Sequence, residues 1–143
     1  MEISGFHLPD DLYYSRDHAW VRVEGKSLRV GVTDFFQKMA GKITFIRVPR
    51  VGKVLARDAT LATVQSGKWT GRIPVPAEGT VVESNLELVG RPALINEDPY
   101  GAGWIAVLAP TDAGAALAGL MRGEEVRSWL EEEIRRHGPA REG

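Results

Sequence analysis

Residues 61–79 read LATVQSGKWTGRIPVPAEG: two short strand-like runs, Leu61–Val64 and Ile73–Val75, around a tight polar segment. Gly67 and Gly71 make a turn easy there, because glycine accepts backbone angles that other residues resist. Most of the chain follows the same grammar. AWVRVE at Ala19–Glu24 alternates apolar and polar residues, as a half-buried strand does. Gly25-Lys26 turns the chain, and LRVGV at Leu28–Val32 is its hairpin partner. Further strands are expected at Ile43–Val48, Val54-Leu55, Thr80–Glu83 and Trp104–Leu108, where Pro110 breaks the last run. Many short strands joined by glycine- and proline-rich turns specify a small barrel or sandwich.

Helices are few. Thr33-Asp34 offers an N-cap to a short helix at Phe35–Met39, and Gly41 stops it. A helical turn is expected near Ala93–Ile95, and a short alanine-rich helix at Asp112–Leu120. Glu124–His137 has acids in its first turn and Arg135, Arg136 and His137 in its last, which suits the helix dipole. Gly138 and Pro139 should end it. Its apolar stripe, Val126, Trp129, Leu130 and Ile134, is expected to dock on the body of the domain. Pro9 with Asp10-Asp11 argues against a regular element before about Leu12. The chain thus divides into a 1–16 N-terminal extension, a 17–110 β domain and a 111–143 helical cap.

Composition narrows the function. With 143 residues the chain can bury one real core, and its net charge of −1 offers no basic surface for nucleic acid. No apolar run approaches the roughly 20 residues of a membrane span. The first residues lack the basic-then-apolar pattern of a secretory signal. There are no cysteines, so disulfides, thiol catalysis and cysteine zinc sites are excluded. His7, His18 and His137 lack metal-ligand spacing, and no metal is expected. A reducing cytoplasm fits. That leaves Lys68, at the tip of the 61–79 hairpin. An amine there suits covalent modification, and it equally suits an ordinary solubilising lysine.

The surroundings of Lys68 carry a resemblance. Gly52, Leu61, Val64, Lys68, Pro76 eight residues on and Gly79 eleven on resemble the segment shared by lipoyl and biotinyl domains. Biotinyl lysines usually lie between two methionines, whereas Lys68 lies between Gly67 and Trp69. Three more stretches, DHAW (17–20), GVTDFFQKMAGKITFIRVP (31–49) and INEDPYGAGW (95–104), resemble the H protein family of the glycine cleavage system. The resemblance covers about residues 12–137. It implies a mainly β fold: a flattened barrel-sandwich hybrid of two antiparallel sheets with a short helix and C-terminal helices. It also implies a carrier, not an enzyme, with lipoate joined to Lys68 through an amide. Such a carrier shuttles an aminomethyl group between glycine decarboxylase, aminomethyltransferase and dihydrolipoyl dehydrogenase. It would be a cytoplasmic monomer, charged by a lipoate-attachment enzyme.

Several positions depart from the family pattern. The lipoylating enzyme is helped by a Glu three residues before the lysine, and here stands Gln65; Gly79 belongs to the same recognition pattern. The resemblance places Asp17, Ala19, Trp69 and Arg72 around the cleft of the arm. Ala19 and Arg72 stand where the family has carboxylates that hold an amine. Two other readings stay open at this point. One is an H-like lipoate-binding protein carrying sulfur for a heterodisulfide-reductase-like complex. The other is a binding module with an unmodified lysine.

Overall fold

The computed structural model describes residues 1–67 and 69–141, with the side chains of 138–141 excepted; Lys68 lies outside the described residues. The elements run β1 (Glu2–Ile3), β2 (Phe6–His7), β3 (Tyr13–Tyr14), β4 (Ala19–Glu24), β5 (Ser27–Val32) and α1 (Asp34–Ala40). Next come β6 (Ile43–Arg47), β7 (Val54–Leu55), β8 (Thr60–Ser66), β9 (Thr70–Pro74), β10 (Gly79–Ser84), α2 (Glu87–Gly90) and α3 (Leu94–Glu97). The chain closes with β11 (Ala106–Pro110), α4 (Ala113–Ala118) and α5 (Glu124–Arg141).

Two antiparallel sheets form the body, as expected. One has six strands in the order β3-β4-β5-β11-β10-β7, and the other has three in the order β6-β8-β9. Alternation explains their packing. On β5, Leu28, Val30 and Val32 are buried, and they join Leu61, Val64, Ile73 and Val81 in one wholly aliphatic core. Burying each such side chain contributes about 1.5–3 kcal/mol. β4 matches the expected strand residue for residue. In α1, the Thr33 hydroxyl accepts the Phe36 amide at 3.1 Å, and Gly41 ends the helix at φ 81°.

The chain ends depart from expectation. Residues 1–11 are not without regular structure: β1 and β2 form a hairpin. Ser4 and Gly5, at φ 52° and 91°, supply the left-handed turn that two-residue hairpins need. The hairpin buries Ile3, and Leu8 just beyond it is buried too. β11 starts at Ala106 instead of Trp104, and Pro110 is its last residue, paired with Gly79. α2 was not expected. α5 continues through Gly138 and Pro139 to Arg141, because a proline in the last turn forfeits a single amide hydrogen bond.

A second, aromatic core lies where the ends meet the body. It contains Ile3, Leu8, Leu12, Tyr14, Trp20, Phe35, Met121, Val126, Trp129 and Leu130, with Ile134 packed against it. The apolar stripe of α5 therefore docks on the body. Trp20 is fully buried, lies flat against Gly31 and donates its indole N–H to the Pro99 carbonyl at 2.9 Å. Trp104 is only half-buried, with the Arg29 guanidinium stacked 4.4 Å from its ring.

Candidate functional site

β8 and β9 form the hairpin on either side of Lys68, with Gln65 paired to Thr70 and Val64 to Gly71. The Ser66 amide bonds the Trp69 carbonyl at 2.8 Å and closes the tip. Gly67 is exposed, and a Cβ there would meet nothing within 4 Å. At Gly71, a Cβ would lie 2.3 Å from the Trp69 ring. The indole folds back over that glycine and meets Phe36 edge-on, with ring centres 5.4 Å apart.

Trp69 is thereby one wall of a cavity of about 530 Å³. α1 contributes Phe35, Phe36, Met39 and Ala40; the turn before β4 contributes His18; α5 contributes Glu133 and His137. His18 sits at φ 71°, a left-handed conformation unusual outside glycine. The Ser15 hydroxyl stabilises this turn by accepting the Asp17 and Ala19 amides at 3.3 and 3.1 Å. The turn sends the imidazole between Phe35 (4.8 Å) and Trp129 (4.6 Å).

There His18 Nε2 meets Glu133 Oε1 at 2.8 Å, and the Arg136 guanidinium donates to Glu133 Oε2 at 2.9 Å. Burial pushes the His18 pKa below the ordinary 6.5, although the Glu133 hydrogen bond and charge pull the other way. When neutral, His18 carries its proton on Nε2 to serve the carboxylate, and buried Nδ1 has no hydrogen-bond partner among the described residues. A lowered His18 pKa favours the hydrogen bond over the ion pair at neutral pH.

The expected site residues are dispersed. Trp69 lines the cavity, while Asp17, Ala19 and Arg72 are not among its lining residues. Asp17 is exposed, and Ala19 is fully buried in the aliphatic core. Arg72 donates to the Asp58 carbonyl at 2.9 Å and to the Thr60 hydroxyl at 3.3 Å. Gln65 is exposed on β8. Gly79 is buried, and a Cβ there would lie 2.6 Å from the Ala109 carbonyl oxygen, so close strand approach demands glycine. Among the described residues, no cluster of three or more His, Cys, Asp or Glu could hold a metal.

Sequence reasoning did not bring Glu133 or the α1 side chains to the site, weighed His137 only as a metal ligand, and met His18 only there and in the DHAW stretch. A signal for Glu133 existed. Trp129, Glu133 and His137 follow at four-residue spacing, which aligns them along one face of a helix.

The family described as Glycine cleavage H-protein has a model that matches residues 12–133. Glycine cleavage system H protein 2 of Aquifex aeolicus is 45% identical over 137 residues, spanning 94% of this chain and 85% of its own length. Glycine cleavage system H protein of Halalkalibacterium halodurans is 39% identical over 127 residues, 89% of this chain and 98% of its own. Among solved structures, a glycine cleavage system H protein from Mycobacterium marinum superposes with a TM-score of 0.77 at 31% identity, covering 88% of this chain and 98% of that one.

Proposed function

Because the chain belongs to the glycine cleavage H-protein family, we propose that it is a lipoyl carrier of glycine cleavage, with lipoate attached at Lys68. The observation that carries this reading is the hairpin: an exposed Gly67 before Lys68, and the residue after Lys68, Trp69, built into the wall of a cavity. The residues present fit a long, largely apolar arm. The cavity wall is aromatic and aliphatic, and its polar groups are confined to His18, Glu133 and His137. Lys68 would hold the lipoyl group, which would supply a redox-active disulfide for carrying one-carbon units. The chain contributes the tether, which keeps that chemistry at high effective concentration. It also contributes a shelter for the far end of the arm. No cysteine is present to attack the disulfide.

On this reading the chain is a carrier and not an enzyme. Its partners are a lipoate-attachment enzyme, glycine decarboxylase, aminomethyltransferase and dihydrolipoyl dehydrogenase. It works as a cytoplasmic monomer; no helix among the described residues is long and apolar enough to cross a membrane. Of the two residues expected to guide attachment, only Gln65 is open to a partner. Gln65 is exposed on the hairpin strand, whereas Gly79 serves through the strand geometry it permits. The names of the relatives favour glycine cleavage over sulfur transport and over an unmodified module. Intact-mass and peptide analysis should find the lipoyl increment on Lys68, and Lys68→Arg should keep the fold while abolishing carrier activity. An increment on another lysine, or one that survives the substitution, overturns the assignment.

A further inference from the structure

Charge is spread unevenly along this chain. Residues 35–57 contain six cations and no acid, so a chain of net charge −1 carries −7 outside them. Lys38 pairs with Asp34 at 3.2 Å. The other five, Lys42, Arg47, Arg50, Lys53 and Arg57, are exposed and make no ion pair among the described residues. β6 brings part of this charge to the sheet whose β8 and β9 flank Lys68. There Arg47 pairs with Thr63 and Thr63 with Arg72, so the three side chains form one row on one face. By the same register, the row nearer the tip is Phe45, Gln65 and Thr70. Ile46 and Val64 alternate with these residues and are buried, so both rows lie on the outer face. The Arg72 guanidinium donates to the Asp58 carbonyl and the Thr60 hydroxyl, both neutral, which holds it in place without cancelling its charge. β6, β8 and β9 contain no Asp or Glu.

We propose that this outer face docks an acidic patch on the enzyme that attaches lipoate to Lys68, with Arg47 and Arg72 as its charged contacts and Phe45 as its apolar one. The proposal rests on the carrier reading and assigns a surface to one of its partners. Position selects the partner. Strands lie about 4.8 Å apart and alternate residues about 6.7 Å apart, so both rows fit in a patch about 10 Å across just behind the hairpin tip. A standard interface covers about 800 Å² of each partner, so a protein that closes over the tip covers this face too. The attachment enzyme meets the chain before any arm exists and must grip the hairpin itself, whereas later partners reach the far end of the arm. Charge selects the chemistry. Exposed guanidinium groups attract carboxylates and match them with paired N–H donors. The −7 carried elsewhere repels a large polyanion such as nucleic acid or an anionic lipid surface, which leaves a small acidic patch on a protein as the fitting occupant.

The test is the rate at which the attachment enzyme of the same organism loads the full chain, read by intact mass with kcat and KM separated. Arg47→Glu should lower kcat/KM about tenfold at low salt, chiefly through KM, because Arg47 steers docking and does not touch the reacting amine. Arg47→Gln should fall between, and Arg47→Lys should stay within about twofold of the wild type. Lys26→Glu makes the same change of charge at the exposed turn between β4 and β5, and it too should stay within about twofold. Raising salt should slow loading of the wild type and narrow its lead over Arg47→Glu. The proposal fails if Arg47→Glu loads like Lys26→Glu or faster than the wild type, or if wild-type loading ignores salt. It fails equally if the face has another occupant: binding to phosphatidylglycerol vesicles, or a dimer in sedimentation, that Arg47→Glu abolishes. The Gln and Lys variants keep the comparison intact even if the Glu variant folds poorly. Charge variants that all load Lys68 at the wild-type rate sink this docking surface and leave the carrier reading in place. A wild type that never gains the lipoyl increment on Lys68 sinks the carrier reading, and this surface with it.

Discussion

The core between the sheets and the core beneath α5 are made of different materials and by different routes. The first is built from alanine, valine, leucine and isoleucine presented by paired strands. The second is rich in aromatic rings and is assembled from both chain ends. Tyr14 and Met121 exchange backbone hydrogen bonds at 2.9 and 2.7 Å, and His18 meets Glu133 across 115 residues of sequence. The aliphatic core makes the scaffold that holds the hairpin. The aromatic core, with α1, makes the cavity beside it. Structure and candidate site therefore depend on different sets of contacts.

The largest expected effect comes from removing the centre of the aromatic core. Trp20→Ala should destabilise the fold by about 3–5 kcal/mol, measured by denaturant or thermal unfolding. Trp104 looks equivalent in sequence but is half-exposed under Arg29. Trp104→Ala should cost only about 1–2 kcal/mol. Equal losses would break the distinction between a tryptophan that builds the core and one that covers its edge.

The same comparison explains what was legible beforehand. Strand alternation is a local signal, so β4, the N-cap Thr33 and the stop at Gly41 could be read from neighbouring residues. The aromatic core depends on contacts more than a hundred residues apart, which no periodicity reports. Its apolar stripe on α5 was visible, but not the partner beneath it. The N-terminal hairpin left one trace, Ser4-Gly5 between apolar residues, outweighed by Pro9 and the paired aspartates. Lys68, outside the described residues, could only be proposed from motif spacing, while Glu133 was hidden because its place in the cavity wall comes with His18 and not from its own neighbours in sequence. Trp104 was misplaced because the turn at 98–103 delivers it ahead of the strand.

The next effect concerns pH and centres on His18, held between the rings of Phe35 and Trp129. Burial lowers the His18 pKa, with Glu133 and Asp17 pulling upward and His137 downward. Burial also opposes the charge of Asp34, but hydrogen bonds from the His7 amide, Gln37 and Lys38 outweigh it and depress that pKa. Both groups bind protons more tightly when unfolded, so both stabilise at higher pH. The His18 contribution is complete above its ordinary 6.5 and is lost as pH falls through the depressed value. The Asp34 contribution is lost below its ordinary 3.8 in the same way. Melting temperature should therefore begin to fall below about pH 6.5, well before carboxylates titrate. His18→Gln should remove that first decline whatever it does to the baseline. A melting temperature flat from pH 7.5 to 5 would show that His18 is not held neutral.

The smallest effect tests what holds α5 in place. Arg16, just before the His18 turn, reaches Glu125 in the first turn of α5 at 3.2 Å. Both side chains are more than half exposed, at 67% and 56%. Water and salt screen such a pair, and ordering two long side chains offsets much of what remains. The apolar stripe, by contrast, buries Val126 and Leu130 completely and Trp129 to within 8%. If burial docks the helix, Glu125→Gln should cost less than about 0.5 kcal/mol, and raising salt should change the wild-type stability of α5 little. Hydrogen exchange along α5 reads this directly, because a helix held by charge would lose protection in the variant and in salt together. Such a loss would mean that the aromatic core is clamped from its rim, and that the wall carrying Glu133 is positioned by surface charge and not by the rings beneath it.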